Sequence, residues 1–144
     1  MNRHYARVIA FQSLYEADFR GNLQSAPDYY SRQIKRLSDS GKTEDENVEF
    51  GRNLVGLAAN NYQKIDQIIE DVAKDWPIKQ VAIIDRNILR LGICELENLD
   101  TPPKVVINEA IEIAKTFGSE ASSKFINGVL GTVYRKSDKF SKEE

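Results

Sequence analysis

Apolar residues recur every three or four positions along most of the chain, with polar residues between them. This spacing predicts α-helices, because residues three and four apart lie on one face of a helix. No stretch alternates apolar and polar residues for long enough to predict a strand. We therefore expect an all-α fold in which two helical bundles, residues 1–75 and 76–136, share one core. The polar tail 137–144 is expected to be disordered.

The first predicted helix runs from Arg3 to Phe19 and has two apolar faces. Small residues line one face and larger residues line the other: Ala6, Ala10, Ser13 and Ala17, then Val8, Phe11, Tyr15 and Phe19. A surface helix needs only one apolar face, so the second must contact another part of the protein or a partner. Arg3 and Arg7 project in the same direction because they are four positions apart. They predict a two-pronged cationic site.

Two further helices are predicted from capping and apolar patterns. Thr43 and Glu46 have the spacing of a capping box, and helical periodicity continues from there to Asp75, where a Trp-Pro pair ends it. The segment 81–97 is apolar almost all round, so we expect a central helix with neighbours on most sides. Asp85 lies beside the apolar stripe of that helix, apart from its other charges.

Two amphipathic helices separated by Gly118 are predicted within residues 104–133. In the second of them Phe125 lies at the edge of the apolar stripe, Lys124 faces away from the core, and Gly128 follows one turn later. A glycine inside a helix costs about 1 kcal/mol relative to alanine, so it indicates a need for close packing or access. An uncovered aromatic ring beside a lysine suits a stacked nucleic-acid base. The alternative is an ordinary core phenylalanine with a glycine for close helix packing, and periodicity alone favours that alternative.

Composition narrows the classes of function. No apolar run approaches the roughly 20 residues of a membrane span, and no signal-peptide core follows the amino terminus, so we expect a soluble cytoplasmic protein. A single histidine and a single cysteine cannot form a conventional zinc site, and no phosphate-binding glycine-rich loop occurs. We therefore expect no enzyme activity, no cofactor and no metal. Cys94 has apolar neighbours and is expected to be a buried, inert thiol.

The net charge of −2 conceals an uneven distribution along the chain. Residues 1–7 include Arg3, His4 and Arg7 and no acid, whereas residues 38–75 carry more acids than bases. A polyanion would therefore contact the ends of the chain rather than its middle.

Several segments together resemble one protein family. They are INEAIEIAKTFGSEASSKFINGVLG, AIIDRNILRLGICEL, ARVIAFQSLYEADF and the Pro102-Pro103-Lys104 turn. Over nearly the whole chain they are similar to the bacterial transcription antitermination factor NusB. The resemblance implies a NusB-like fold of about seven helices and an RNA-binding adaptor. Members of that family bind the boxA element of ribosomal RNA leader transcripts with NusE, a small-subunit ribosomal protein. Contact with other Nus factors and RNA polymerase is indirect.

The resemblance also implies roles for particular residues. The RNA-binding positions that it implies are Arg3, His4, Arg7 and Phe125, and the positions on the NusE side are Tyr15, Asp85 and Arg86. The resulting hypothesis is that Phe125 stacks on a base while four cations hold phosphates: Arg3, Arg7, Lys115 and Lys124. His4 adds a positive charge only when it is protonated.

Two positions depart from the family pattern. Many members begin with three consecutive basic residues, whereas this chain has Arg3, His4 and Tyr5, so fewer counterions would be released on binding. Ala121 stands where many members have an acid near the RNA, which removes a repulsion.

Other functions fit parts of the same pattern. One is the NusB-like RNA-binding module of ribosomal RNA methyltransferases; those enzymes continue into a long cofactor-binding domain, whereas the sequence given ends at Glu144. Another is a helical adaptor that binds only proteins. The second apolar face of the first helix could equally bury a second copy of this chain.

Overall fold

The computed structural model describes residues 1–38, 45–137 and 140. Within these residues the chain forms seven α-helices and no strand. The helices are α1 Arg3–Phe19, α2 Ala26–Leu37, α3 Glu46–Asn60, α4 Tyr62–Val72, α5 Ile83–Asn98, α6 Pro103–Phe117 and α7 Glu120–Arg135. The predicted all-α fold of about seven helices is confirmed. None of the described helices has the length and apolar character that crossing a bilayer requires.

The chain divides into two compact units, Met1–Tyr62 and Gln63–Glu144. The single helix predicted to run as far as Asp75 is wrong, because α3 and α4 are separate helices that meet at Asn61. The Asn61 side-chain amide donates a hydrogen bond to the Leu57 carbonyl at 2.8 Å. The Asn61 backbone N–H donates to the same carbonyl at 3.0 Å, and Asn61 is the C-cap at which α3 ends. The division between the units falls at residue 62, not near residue 75.

The start of α3 also differs from the prediction. Its N-cap is Asp45, whose carboxylate accepts hydrogen bonds from the backbone N–H groups of Asn47 at 2.9 Å and Val48 at 2.8 Å. The Val48 hydrogen bond lowers the pKa of Asp45 from its ordinary value. The predicted cap Thr43 lies outside the described residues, and Glu46 is the first residue of the helix rather than its third.

In the first unit α1 packs against α2 and α3. The small face of α1 is fully buried at Ala6, Ala10 and Ala17. Tyr30 of α2 is also fully buried, and its hydroxyl donates to the Val48 carbonyl at 2.8 Å. Gly51 is required beside it, because a Cβ at that position would overlap the Tyr30 ring and hydroxyl. Small residues thus allow the three helices to approach closely.

In the second unit α5 packs against α6 and α7. Every residue from 87 to 96 is buried, which confirms the predicted central helix. Arg90 lies in that buried stretch and forms a bidentate ion pair with Asp66 of α4, with Nε–Oδ1 at 2.7 Å and Nη2–Oδ2 at 2.9 Å. Its Nη1 donates to the Asn87 side chain at 2.9 Å. Removal of one partner from a buried pair is strongly destabilising, so this pair ties α4 to α5.

The α6–α7 hairpin depends on the predicted break at Gly118. A Cβ on Gly118 would lie 2.7 Å from the Ser122 hydroxyl oxygen and 3.0 Å from the Ala114 carbonyl oxygen, so no larger residue fits there. Ser119 caps α7: its hydroxyl accepts from the Ser122 N–H at 3.2 Å, while the Ser122 hydroxyl accepts from the Ser119 N–H at 3.1 Å. This reciprocal capping fixes the first turn of α7.

Cys94 on α5 is fully buried, as predicted. Burial raises the pKa of its thiol from 9.0 to about 12, against an opposing hydrogen bond from the Asn98 side chain at 3.7 Å. The folded state therefore retains this proton between pH 9 and 12, whereas the unfolded chain releases it. The contribution of Cys94 to stability is complete below pH 9 and is lost as the pH rises through this window.

We expect the free energy of unfolding of the wild type to fall relative to that of Cys94→Ala, by up to about 1.4 kcal/mol per pH unit above pH 9. Urea denaturation of both proteins between pH 8 and 11 measures this difference. The native thiol should also resist dithionitrobenzoate until urea unfolds the chain. If the native thiol is labelled rapidly and the free energies of unfolding of the two proteins change in parallel with pH, Cys94 is not buried.

Candidate nucleic-acid interface

The candidate site in the second unit lies on α7, just beyond the capped first turn. Lys124 is exposed and Phe125 is half-buried, as their positions relative to the apolar stripe predict. No atom of the described chain lies within 4 Å of the position that a Cβ on Gly128 would occupy, apart from neighbouring backbone of α7 itself. Lys124, Phe125 and Gly128 all line a cleft of about 330 Å³. Phe125 is therefore a partly accessible ring on a cleft, not an ordinary core residue.

Residues 72–76, the last residue of α4 and the turn after it, also line this cleft. Trp76 is 55% exposed there, although tryptophan is usually well covered. Sequence reasoning used this residue only as the end of a helix and missed its position beside Phe125. The sequence does contain a local indication of this exposure. The two residues directly before Trp76 are the charged Lys74 and Asp75.

Lys115 lies on the last turn of α6 and does not line the Phe125 cleft. Its ammonium is 3.6 Å from a Glu112 carboxylate oxygen, and the two side chains are 62% and 61% exposed. An exposed pair of this kind contributes little to stability, so Lys115 can exchange its partner at small cost. Ala121, the departure from the family pattern, is exposed on the first turn of α7.

The candidate site in the first unit is the amino-terminal end of α1. Asn2 caps this helix, and its side-chain oxygen accepts a hydrogen bond from the Tyr5 N–H at 2.7 Å. Arg3 and His4 follow and are both exposed. None of the residues that the structure describes in the first turn of α1 is acidic. The partial positive charge of a helix N-terminus adds to that of Arg3, so this end of α1 attracts anions.

Phe50 of α3 determines how the two arginines lie. The Arg3 guanidinium carbon is 4.3 Å from the Phe50 ring centroid, and that of Arg7 is 4.9 Å from it. Arg7 is only 4% exposed, so α3 covers one of the two arginines of the predicted cationic site. Helical projection gave its direction from α1 correctly but could not reveal that α3 covers it. Phe50 had no signal in the sequence, because cation–π contacts between helices depend on tertiary structure.

Tyr15, the first predicted partner-binding residue, lies half-buried on the second face of α1. Its ring is stacked on Phe19, with centroids 6.5 Å apart and planes at 7°. Phe19 is 72% exposed, whereas Phe11 is 2% exposed, so the larger face of α1 is only partly accessible. Tyr15 and Phe19 line a cleft of about 560 Å³ formed with α2. Three arginines also line this cleft: Arg20, Arg32 and Arg36.

Asp85 and Arg86, the other predicted partner-binding residues, lie half-buried on the first turn of α5. Arg86 Nη1 donates to the Val81 carbonyl at 3.2 Å. One carboxylate oxygen of Asp85 is buried and has no hydrogen-bond partner among the described residues. A buried acceptor without a donor costs about 1–3 kcal/mol, so Asp85 would gain from a donor supplied by another molecule.

The described residues contain no group of three or more histidine, cysteine, aspartate or glutamate side chains placed to hold a metal ion. The model of the NusB family matches residues 4–135. The chain belongs to the NusB family.

Close relatives of known name extend this assignment. The transcription antitermination protein NusB of Dehalococcoides mccartyi (strain CBDB1) is 44% identical over 134 residues, which cover 92% of this chain and 89% of the relative. The NusB of Bacillus mycoides (strain KBAB4) is 40% identical over 92% of this chain and 97% of its own length. Both relatives are named as transcription antitermination proteins.

Solved structures of NusB proteins have the same fold. The structure of T. maritima NusB superposes with a TM-score of 0.80 at 31% identity, covering 100% of this chain and 99% of the other. A structure of the antitermination factors NusB and NusE in complex with dsRNA also gives a TM-score of 0.80, at 30% identity, covering 95% and 100%.

The open space at Gly128 leads to a stability prediction. Replacement of Gly128 by alanine should raise the free energy of unfolding by about 1 kcal/mol, because alanine favours the helix and its Cβ meets nothing outside α7. Gly51→Ala is the matched control: it should lower stability, since its Cβ would overlap Tyr30. Thermal and urea denaturation measure both changes. Destabilisation by Gly128→Ala would show that other atoms lie close to the Cβ position of residue 128.

Proposed function

We propose that this protein is an antitermination factor that binds boxA RNA of ribosomal RNA leader transcripts together with NusE and so supports ribosomal RNA transcription. The observation that carries the proposal is the cleft of Phe125, Lys124 and Gly128, in which an aromatic ring, a cation and an open backbone position occur together. The similar NusB–NusE–dsRNA structure supports it, because that NusB binds both kinds of partner.

On the second unit, Phe125 stacks on an unpaired base while the lysines contact phosphates. A half-buried phenylalanine is held in place by the core yet presents part of its ring. Base stacking on such a ring contributes about 1–3 kcal/mol per base. Lys124 lies next to this ring, and Lys115 contacts the backbone farther along the strand. Because phosphate contacts carry no sequence information, the preference for boxA comes from the stacked and hydrogen-bonded bases.

On the first unit, Arg3 and His4 contact phosphates at the positive end of α1. Phe50 holds the Arg3 guanidinium at 4.3 Å from its ring, which reduces the conformational entropy that Arg3 loses on binding RNA. Arg7 is buried against the same ring and supports this arrangement, so its effect on RNA is mainly through Arg3.

The two contact types predict different responses to mutation. Phe125→Ala should weaken binding about 5- to 150-fold with little change in salt dependence, because stacking releases few counterions. Arg3→Ala should reduce the slope of log affinity against log salt by roughly 0.7, the value for one phosphate contact on a single strand. Fluorescence anisotropy with labelled boxA RNA and NusE, at several salt concentrations, measures both quantities.

Two controls accompany this titration. Phe125→Leu keeps apolar volume but removes the aromatic face, so it should behave like Phe125→Ala. Lys104→Ala removes an exposed charge of α6 that the proposal does not use and should leave affinity unchanged. If Phe125→Ala and Arg3→Ala both retain wild-type affinity and salt slope, the RNA site lies elsewhere. Complete absence of RNA binding with retained NusE binding would select the protein-only adaptor.

NusE binds the surfaces that carry Tyr15, Asp85 and Arg86. Tyr15 offers a large ring beside a cleft rich in arginine, and the unpaired Asp85 oxygen offers an acceptor. Aromatic residues of this kind often dominate interface energies. A NusE helix or strand end that donates hydrogen bonds to Asp85 would relieve the cost of its unpaired oxygen.

Tyr15→Ala should therefore weaken the complex with NusE by at least about 30-fold, which corresponds to the roughly 2 kcal/mol of an interface hot spot. Asp85→Ala should weaken it too, because the partner donor would lose its acceptor. Isothermal titration calorimetry with purified NusE measures both effects. Arg3→Ala serves as the control, since it should alter RNA affinity and leave NusE affinity unchanged. Unaltered NusE binding by both Tyr15→Ala and Asp85→Ala would refute this assignment of the partner surface.

A further inference from the structure

The cleft beside Phe125 contains a second aromatic residue that the proposed function does not use. Trp76 lines this cleft together with residues of α7 and is 55% exposed. Exposure of a large indole is unfavourable unless something covers it, because its apolar area is then in contact with water. The structure thus has two partly accessible rings, from separate segments of the second unit, on one cleft of about 330 Å³.

The backbone around Trp76 is held firmly. The Trp76 N–H donates to the Ala73 carbonyl at 3.1 Å, which closes a turn after α4. Pro77 follows and restricts the backbone conformation of Trp76. The Ile78 N–H then donates to a Glu70 carboxylate oxygen at 3.0 Å, so the chain on the far side of Trp76 is tied back to α4. The Trp76 side chain therefore projects from an ordered turn. A ligand that binds to it needs to order little additional backbone.

The charges around the cleft favour an anionic strand over a neutral molecule. Lys74 lines the cleft on the Trp76 side, and Lys124 lines it on the Phe125 side. Asp75 is the acid among the lining residues, so the two lysines outnumber it. Two cations on one cleft can contact phosphates of a strand that binds there. Gly128 also lines the cleft, and a side chain there would project into open space.

We propose that this cleft holds a single unpaired nucleobase stacked on Trp76, so that Trp76 is a second base-stacking residue beside Phe125. The inference rests on the proposed RNA binding and adds a subsite to it. A volume of about 330 Å³ lies at the lower end of the range for small-molecule pockets and suits one base with its sugar. Bases inside a duplex are paired and stacked on each other, so only a splayed base enters the cleft.

The chain contains one tryptophan, so its fluorescence reports on this cleft alone. Titration of the full chain with boxA RNA at low salt should quench Trp76 emission, with the same midpoint that anisotropy of labelled RNA gives. A fully paired duplex of the same sequence should bind with much weaker quenching at saturation, because its bases stay stacked. Equal quenching by the duplex would overturn the single-base assignment.

Substitutions distinguish the contribution of base stacking to RNA affinity from that of phosphate contacts. Trp76→Ala should weaken boxA binding by about 5- to 150-fold, and Trp76→Phe should restore most of that loss because it keeps an aromatic face. The salt slope should not change in either variant, since no phosphate contact is removed. Lys74→Ala should instead reduce the slope by roughly 0.7.

A pair of glycine variants controls for misfolding. Gly128→Ala and Gly56→Ala both place a Cβ in open space within a helix, so both should raise the melting temperature. Only Gly128→Ala narrows the cleft and should weaken RNA binding. A variant that is more stable yet binds more weakly cannot owe its weaker binding to unfolding.

The outcomes distinguish this inference from the proposed function. If boxA RNA binds, Trp76 emission does not change and Trp76→Ala keeps wild-type affinity, the base subsite is refuted and the RNA-binding function stands. If the wild type binds no boxA RNA at low salt, with or without NusE, both fail together.

Discussion

The burial of residues 87–96 of α5 is the constraint on which the second unit depends. Its residues 87–96 have no exposed face, so the neighbouring helices must each present an apolar stripe to it. Gly92 sets the approach of α7, since a Cβ there would lie 3.1 Å from a methyl group of Leu130. Once Leu130 points at α5, Phe125 is rotated from it by about 140° and Gly128 by about 160°, at 100° per residue. The register of α7 against α5 therefore turns the candidate RNA-contacting residues away from the core.

The position of residues 72–76, which also line the cleft, depends on α5 as well. Asp66 of α4 is joined to the buried Arg90 by two short hydrogen bonds, and the Trp76 turn follows directly from α4. A buried ion pair with this geometry has little freedom, because loss of either contact leaves a charge without compensation. Both linings thus take their positions from one helix that contributes no lining residue of its own. This arrangement explains how aromatic groups far apart in sequence come to share a small cleft.

The first unit arranges its cations by a different interaction. Arg3 and Arg7 both lie over the Phe50 ring, and α1 and α3 are brought together by the small face of α1. Cations at a helix N-terminus oppose the helix dipole and cost some stability. Contact with an aromatic face offsets part of this cost. Functional sites typically show this combination, in which charges placed for a ligand lower the stability of the fold.

The sequence by itself determined the helical class, most helix limits and the amphipathic pattern of α7, because these follow from local spacing and capping. It also identified the family, through contiguous segments such as KFINGVLG. It mistook α3 and α4 for one helix, since periodicity continues across Asn61, the C-cap residue at which α3 ends. Tertiary structure alone decided that Phe50 covers Arg7 and that Trp76 and Phe125 line one cleft. Both facts depend on which helices pack against which, and residue spacing along one helix carries no information about its neighbours.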